Sequence, residues 1–256
     1  MTSTLRCLQV LELLAEDPFE LSLSVLAERL SLPRPSAHRL CTTLLEANLI
    51  EQNPETRRYV LAPKALWVGS GYVRHSAVYR ASFFPMQDLA KSVTGTVQLG
   101  VLDNGHVLFV HSVGYAGSPH AFADVGLRRS LHATASGKIF LAAMPWTEVE
   151  KIMSAHCDRY TDKTITSLPR MKQEIAEIQR KNYALNVEEL LAGYWVLAAP
   201  VIGRDGRTLA AISLTLSTEH FSPDQEGLYA ALVNEAAHKS SLQLGSRGLG
   251  LLKPSR

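Results

Sequence analysis

Cysteine is scarce in this chain of 256 residues: Cys7, Cys41 and Cys157 are odd in number and far apart. A disulfide framework or a zinc site needs paired or closely spaced sulfurs, so neither is expected, and each cysteine reads as a small core residue. No apolar run approaches the ~18 residues of a membrane span. Residues 1–17 carry Glu12, Glu16 and Asp17 and lack a small-residue cleavage site, so no secretion signal is expected. Internal repeats and low-complexity stretches are absent. His111, His120 and His132 have neither helical i,i+4 spacing nor an acidic neighbour, and no metal site is expected from them. A nucleophile paired with a base is missing, as is a carboxylate dyad in a recognisable motif. No catalytic residue and no cofactor is therefore expected. Together these absences point to the cytoplasm.

What is present suits a soluble globular protein. The chain is 46% hydrophobic and 20% charged, and long enough for two domains, one with a substantial core. Its formal net charge of +2 says little about partners. Residues 1–62 hold six Lys/Arg against eight Asp/Glu, so a nucleic-acid partner has to be argued from where the arginines sit.

Residues 5–15 place Leu5, Leu8, Val10, Leu11, Leu14 and Ala15 close to one helical stripe, which Asp17-Pro18 terminates. Ser22 is positioned to cap a short second helix with Leu23, Leu26, Ala27 and Leu30 inward; Val25 stands where Glu or Gln would complete a capping box. Residues 31–34 make a tight turn, and Pro35 opens a third helix running to about Asn48. Ile50 and Tyr59-Val60-Leu61 read as short strands around the turn Asn53-Pro54-Glu55-Thr56. Three helices and a hairpin are the order of a winged helix-turn-helix, assigned to 1–62. A helix from about Pro63 to His75 begins a linker over 63–80.

Residues 81–245 look α+β. TVQLGVLD and HVLFVHSV flank Asn104-Gly105, a strong hairpin signal, and WVLAAPVIG and TLAAISLTLS flank Asp205-Gly206. A strand is expected around 120–125, and helices over about 133–143, 146–155 and 168–181. Ser222-Pro223-Asp224-Gln225 opens a last helix, continuing to about Leu244, with N-cap, proline and returning Gln all in place. Residues 246–256 read as a disordered tail.

On a helical wheel the third helix turns Ala37, Leu40, Cys41, Leu44 and Leu45 to one side. The other side carries Pro35, Ser36, His38, Arg39, Thr42, Thr43 and Glu46, with Arg34 just before it. Short polar groups at the front of such a helix reach base edges and phosphates, and a helix N-terminus favours an approaching phosphate. Arg57 and Arg58, on the wing, would straddle a neighbouring groove or backbone. The DNA-contacting set is thus Arg34, Ser36, His38, Arg39, Thr42, Thr43, Arg57 and Arg58; the alternative is an ordinary solvated helix face.

From Leu5 to about Leu244 the chain resembles the IclR family of bacterial transcriptional regulators. The resemblance runs through LSLSVLAERLSLPRPSAHRLCTTLLEANLIEQNPETRRYVLAP, LHATASGKIFLAAM, NYALNVEELLAGYWVLAAPV and GRTLAAISLTL. It implies an effector domain built as an antiparallel sheet with flanking helices, related to the GAF and PAS ligand-binding folds. It also implies a double-stranded DNA operator and dimers joined through their N-terminal domains, often paired into tetramers. Five positions depart from the family pattern. Pro35 replaces a Ser, Ser31 a Gly, Ser130 a Pro, Asn186 an acidic residue and Val196 a Cys.

LHATASGKIF is a strand-to-helix transition whose small residues let a ligand approach the backbone, and free amides at a helix start attract a carboxylate. It is not a phosphate-binding P-loop, because His132 stands at the first glycine position and Ile139 follows Lys138. Alternation along 207–217 points Ser213 and Thr215 the same way, beside Leu209 and Ala211. By resemblance the pocket is completed by Ala135, Ser136, Asn186, Tyr194 and Val196. With Asn and Val in place of acid and Cys, the expected ligand is a small organic acid, aromatic acids included. Three functions remain in competition: a ligand-responsive regulator, an enzyme with an incidental N-terminal domain, and a constitutive DNA-binding protein whose C-terminal domain only oligomerises.

Overall fold

The computed structural model describes residues 2–114, 125–219 and 221–245. The strand expected near 120–125 lies outside them except for Val125, which sits in a turn, and 246–256 lies outside altogether. The chain divides into two compact units between His75 and Ser76.

The first unit contains α1 (Ser3–Glu16), α2 (Leu23–Arg29), α3 (Arg34–Glu46), β1 (Ile50–Gln52), β2 (Tyr59–Leu61) and α4 (Pro63–His75). Ser22 caps α2 as expected, its Oγ accepting from the Val25 amide at 3.3 Å. The α2–α3 turn puts Ser31 at φ 52°, a left-handed conformation that glycine adopts without strain. Val10, Leu14, Leu26, Leu40, Cys41, Leu44, Ile50 and Tyr59 form the core. β1 and β2 pair antiparallel, Ile50 with Leu61 and Gln52 with Tyr59. Leu21 adds a bridge that the sequence did not announce: its N–H donates to Tyr59 O at 3.0 Å and its carbonyl accepts from Tyr59 N at 2.8 Å.

The second unit opens with α5 (Ala77–Ser92), a helix not anticipated because Pro85 interrupts its pattern. Ser76 caps it, accepting from Tyr79 N at 3.2 Å. A six-stranded antiparallel sheet follows, ordered β5-β4-β3-β8-β7-β6. Its strands are β3 (Thr96–Asp103), β4 (His106–Gly114), β5 (Arg128–Ser130), β6 (Ala184–Val187), β7 (Tyr194–Ile202) and β8 (Thr208–Ser217). Both expected hairpins form, and β3 pairs with β8 to join them. Pro200, lacking an N–H, lies in β7 beyond the last pair with β6, Ala184↔Ala198.

Alternation divides the sheet between two cores. Leu197, Ile212 and Leu214 face α5 and α9 (Glu226–Gln243). Ala198 and Ala211 face α6 (Ala135–Ala143), α7 (Trp146–Ala155) and α8 (Leu168–Lys181). α6 packs in backbone contact with the segment before it. A Cβ on Gly137 would fall 2.2 Å from Leu131 O.

Candidate functional site

Helix α3 buries Ala37, Leu40, Cys41 and Leu44, with Leu45 half-buried against the same cluster. Arg34, His38, Arg39, Thr43 and Glu46 are exposed, and Ser36 and Thr42 are half-buried. The expected face is therefore turned away from the core of its own unit. Among the described residues Arg39 has no ion pair or hydrogen bond through its side chain. Thr42 and Thr43 donate their hydroxyls back to His38 O at 3.0 Å and Arg39 O at 3.1 Å, which leaves each an acceptor toward solvent. Arg34 is held on α2 by Ser24 Oγ.

The start of α3 offers less to an anion than its dipole suggests. Pro35 has no amide, and the amides of Ser36 and Ala37 both donate to Pro33 O, at 2.9 and 3.1 Å.

The wing is organised by Asn53. Its Oδ1 accepts from the amides of Glu55 at 2.9 Å and Thr56 at 3.1 Å, while its Nδ2 donates to Glu20 at 2.8 Å. Thr56 Oγ1 donates to the other Glu20 oxygen at 2.8 Å, and the bonds from Asn53 and Thr56 hold that carboxyl below its usual pKa. Arg57 follows at φ 58°, and Arg57 and Arg58 are both exposed.

In the second unit all seven residues expected to meet a ligand surround one cavity. Ala135, Ser136, Asn186, Tyr194, Val196, Ser213 and Thr215 line it. The walls enclose about 430 Å³ of space unoccupied by atoms, part of it open to solvent. Strand register explains the convergence: Asn186 stands beside Val196, Val196 beside Thr215, and Ser213 beside Gln98. Thr134 caps α6 above them, its Oγ1 accepting from Gly137 N at 3.0 Å, so the amides of Ala135 and Ser136 remain without intrahelical acceptors.

The seven do not play one part. Asn186 has its amide engaged at both ends, donating to Ala133 O at 2.7 Å and accepting from Glu189 N at 3.2 Å. It therefore positions the roof of the cavity rather than presenting a free group. Ser136 Oγ, Ser213 Oγ and Thr215 Oγ1 are buried with no partner.

Two further lining residues, Gln98 and Arg129, also bring buried unpartnered atoms, Nε2 and Nε. Neither is among the residues expected from the sequence. A signal existed for each: Gln98 is a lone amide in the otherwise apolar run Val97–Val101, and period-two alternation must send one of Arg128 and Arg129 inward. His132 lies outside the cavity lining. Its Nε2 meets Asp158 O at 2.9 Å, and burial lowers its pKa. Among the described residues no cluster of His, Cys, Asp and Glu could hold a metal.

A winged helix-turn-helix unit followed by a sheet-and-helix unit with an internal cavity is the build of a two-domain transcriptional regulator. Residues 3–54 match the IclR helix-turn-helix domain, and residues 70–242 match the bacterial transcriptional regulator IclR C-terminal domain. The regulator KdgR of Escherichia coli is 26% identical over 96% of this chain and 93% of its own length. BhcR of Paracoccus denitrificans is 30% identical over 94% and 87%.

Among solved structures, the IclR regulator of Alicyclobacillus acidocaldarius superposes with a TM-score of 0.84 at 23% identity, covering 95% of this chain and 98% of that one. An IclR homologue of Microbacterium hydrocarbonoxydans, complexed with 4-hydroxybenzoate, gives 0.79 at 22%, covering 95% and 99%. The chain belongs to the IclR family of bacterial transcriptional regulators and is a DNA-binding protein of that kind.

Proposed function

We propose that the protein binds a double-stranded operator through α3 and the wing, and that a small organic acid in the C-terminal cavity modulates this binding without being chemically changed. The observation that carries the ligand half is the convergence of Gln98, Arg129, Ser136, Ser213 and Thr215 on one cavity, each with a buried polar atom lacking a partner. Buried polar groups are nearly always satisfied, and five exceptions around one space are best explained by a bound molecule. The 4-hydroxybenzoate complex of a structural relative makes aromatic acids the first probes. Thermal unfolding across an acid library tests this: stabilisation grows with ligand concentration, the acid is recovered unaltered, and a flat response throughout would refute sensing. Coupling to DNA follows if the acid binds two arrangements unequally; a difference of ~1–3 kcal/mol shifts operator affinity ~5–150-fold.

Contacts on the DNA side divide by role. Arg39→Ala is expected to relax base preference, measured by selecting bound duplexes from a random pool. Unchanged preference with uniformly weaker binding would exclude base readout. Arg57→Ala and Arg58→Ala are expected to leave the selected sequence unchanged and to lower the salt slope of binding by about one unit each.

The assembly we infer is a cytoplasmic homodimer or dimer of dimers. Leu66, Trp67, Val68 and Tyr72 of α4 and Leu5 and Leu8 of α1 are exposed apolar side chains, more than a solitary domain ordinarily shows. Light scattering of the Trp67→Lys protein is expected to show a smaller species than the wild type; identical masses would remove α4 from the interface. No helix among the described residues is long and apolar enough to cross a membrane.

A further inference from the structure

Strand β5 carries two adjacent arginines with different surroundings. Arg128 forms an ion pair with Asp103. Arg129 stands opposite Val107 of β4, whose side chain belongs to the core on the α6 face, and it lines the cavity. Among the described residues Arg129 has no ion pair, and its Nε is buried without an acceptor. Burial pulls its pKa below that of an ordinary guanidinium, yet such a group remains charged under all ordinary conditions. Among the described residues the lining includes no Asp and no Glu. The cavity thus contains a half-desolvated cation with no counter-charge among the described residues.

The remaining polar groups are neutral and lie across the strands from one another. Gln98 is the cross-strand neighbour of Ser213 on one side and Ser112 on the other, and the side chains of all three hold buried unpartnered atoms. Thr215 lies two residues beyond Ser213 on the same face, and Ser136 looks down from α6. A guanidinium pairs best with a planar carboxylate, which it meets through two parallel N–H groups. A row of hydroxyls and one amide suits a hydroxyl or carbonyl elsewhere on the same ligand.

We propose that Arg129 is the charge anchor of this cavity, binding the carboxylate of a small monoacid whose second polar group is read by Gln98, Ser213 and Thr215. The proposal rests on the sensing function above and narrows it. The acid's charge is met by a side chain at the sheet edge, where a full cation outweighs the partial charge of the open Ala135 and Ser136 amides at the start of α6. On this reading the ligand supplies the counter-charge that the described residues do not give Arg129.

Thermal unfolding of the full-length protein tests this with benzoate, 4-hydroxybenzoate and hexanoate, each beside its primary amide. The acids are expected to raise the wild-type midpoint by a few degrees and the amides to leave it unmoved. Arg129→Met should unfold, without ligand, at no lower temperature than the wild type, and need roughly 10–100-fold more acid for the same shift. Arg129→Lys should keep the preference for acid over amide.

An Arg129→Met protein that is unfolded, or less stable with its acid response intact, would assign Arg129 a structural role and end the proposal. Amides acting as strongly as acids would leave a ligand cavity in place but remove the charge pairing. A wild type unresponsive to acids and amides alike would remove the sensing reading as well.

Discussion

Replacing Lys138 by Met is expected to destabilise the C-terminal unit by about 3–5 kcal/mol at neutral pH. Lys138 follows Gly137 on α6 and its side chain is wholly inaccessible. Its Nζ donates to Glu174 Oε1 at 3.0 Å, to Leu185 O at 3.1 Å and to Glu189. Glu189 is itself buried, and its second oxygen has no partner. Removing the cation therefore strands a carboxylate in a place where water cannot reach it.

The pH dependence identifies that cause. Burial already pushes the Glu189 carboxyl above its ordinary pKa against the pull of Lys138, and losing the lysine pushes it further. A carboxyl whose folded pKa is raised favours folding below its unfolded pKa, and that contribution disappears as pH rises through the folded value. The deficit of the Lys138→Met protein should shrink as pH falls toward the unfolded glutamate value of about 4.3. Urea denaturation at several pH values measures this. A deficit independent of pH would mean that lost packing, not a stranded charge, causes it. Adding Glu189→Gln should recover a large part of the loss, because the pair is coupled.

The second large effect lies one residue earlier. Gly137→Ala places a methyl group 2.2 Å from Leu131 O, 2.4 Å from Leu131 Cα and 2.6 Å from Leu131 C. All three are backbone atoms, so no side-chain rotation relieves the clash and α6 itself has to move. Overpacking of this kind costs about 1–3 kcal/mol, and a backbone obstacle puts it at the upper end. The displaced helix carries Ala135 and Ser136 of the cavity roof with it, so a loss of ligand response should accompany the loss of stability. Gly227→Ala is the control. Nothing lies within 4 Å of that position on α9, and alanine there should be neutral or stabilising by up to about 1 kcal/mol. Equal effects at the two positions would show that helix propensity, not contact with Leu131, is responsible.

The parts of this fold that were legible are those with local causes. Ser22 and Ser222 marked helix starts, Asn104-Gly105 and Asp205-Gly206 marked hairpins, and the alternation along β8 correctly set Ser213 and Thr215 on the face away from Ile212 and Leu214. Illegible parts had non-local causes. β6 is only four residues long and exists by pairing with β7, and α5 forms around a buried proline that argues against a helix locally. The seven cavity residues were found partly through alternation and partly through family resemblance. Gln98 and Arg129 each left a local trace, but that they meet Ser213 and Thr215 around one cavity is set by strand register, which no short window of sequence contains. The amide of Asn186, committed at both ends, was equally unreadable in advance.

The Leu21–Tyr59 bridge has a consequence for the operator. It fastens the chain entering α2 to the strand that carries the wing, and Tyr59 of that strand shares a core with Leu40, Cys41 and Leu44 of α3. Under the proposed binding mode, a duplex seated on α3 and the wing would meet a caliper with a fixed gap, and the footprint of a single copy would have a set length in base pairs. Any latitude in the target's layout has to come from the spacing between footprints.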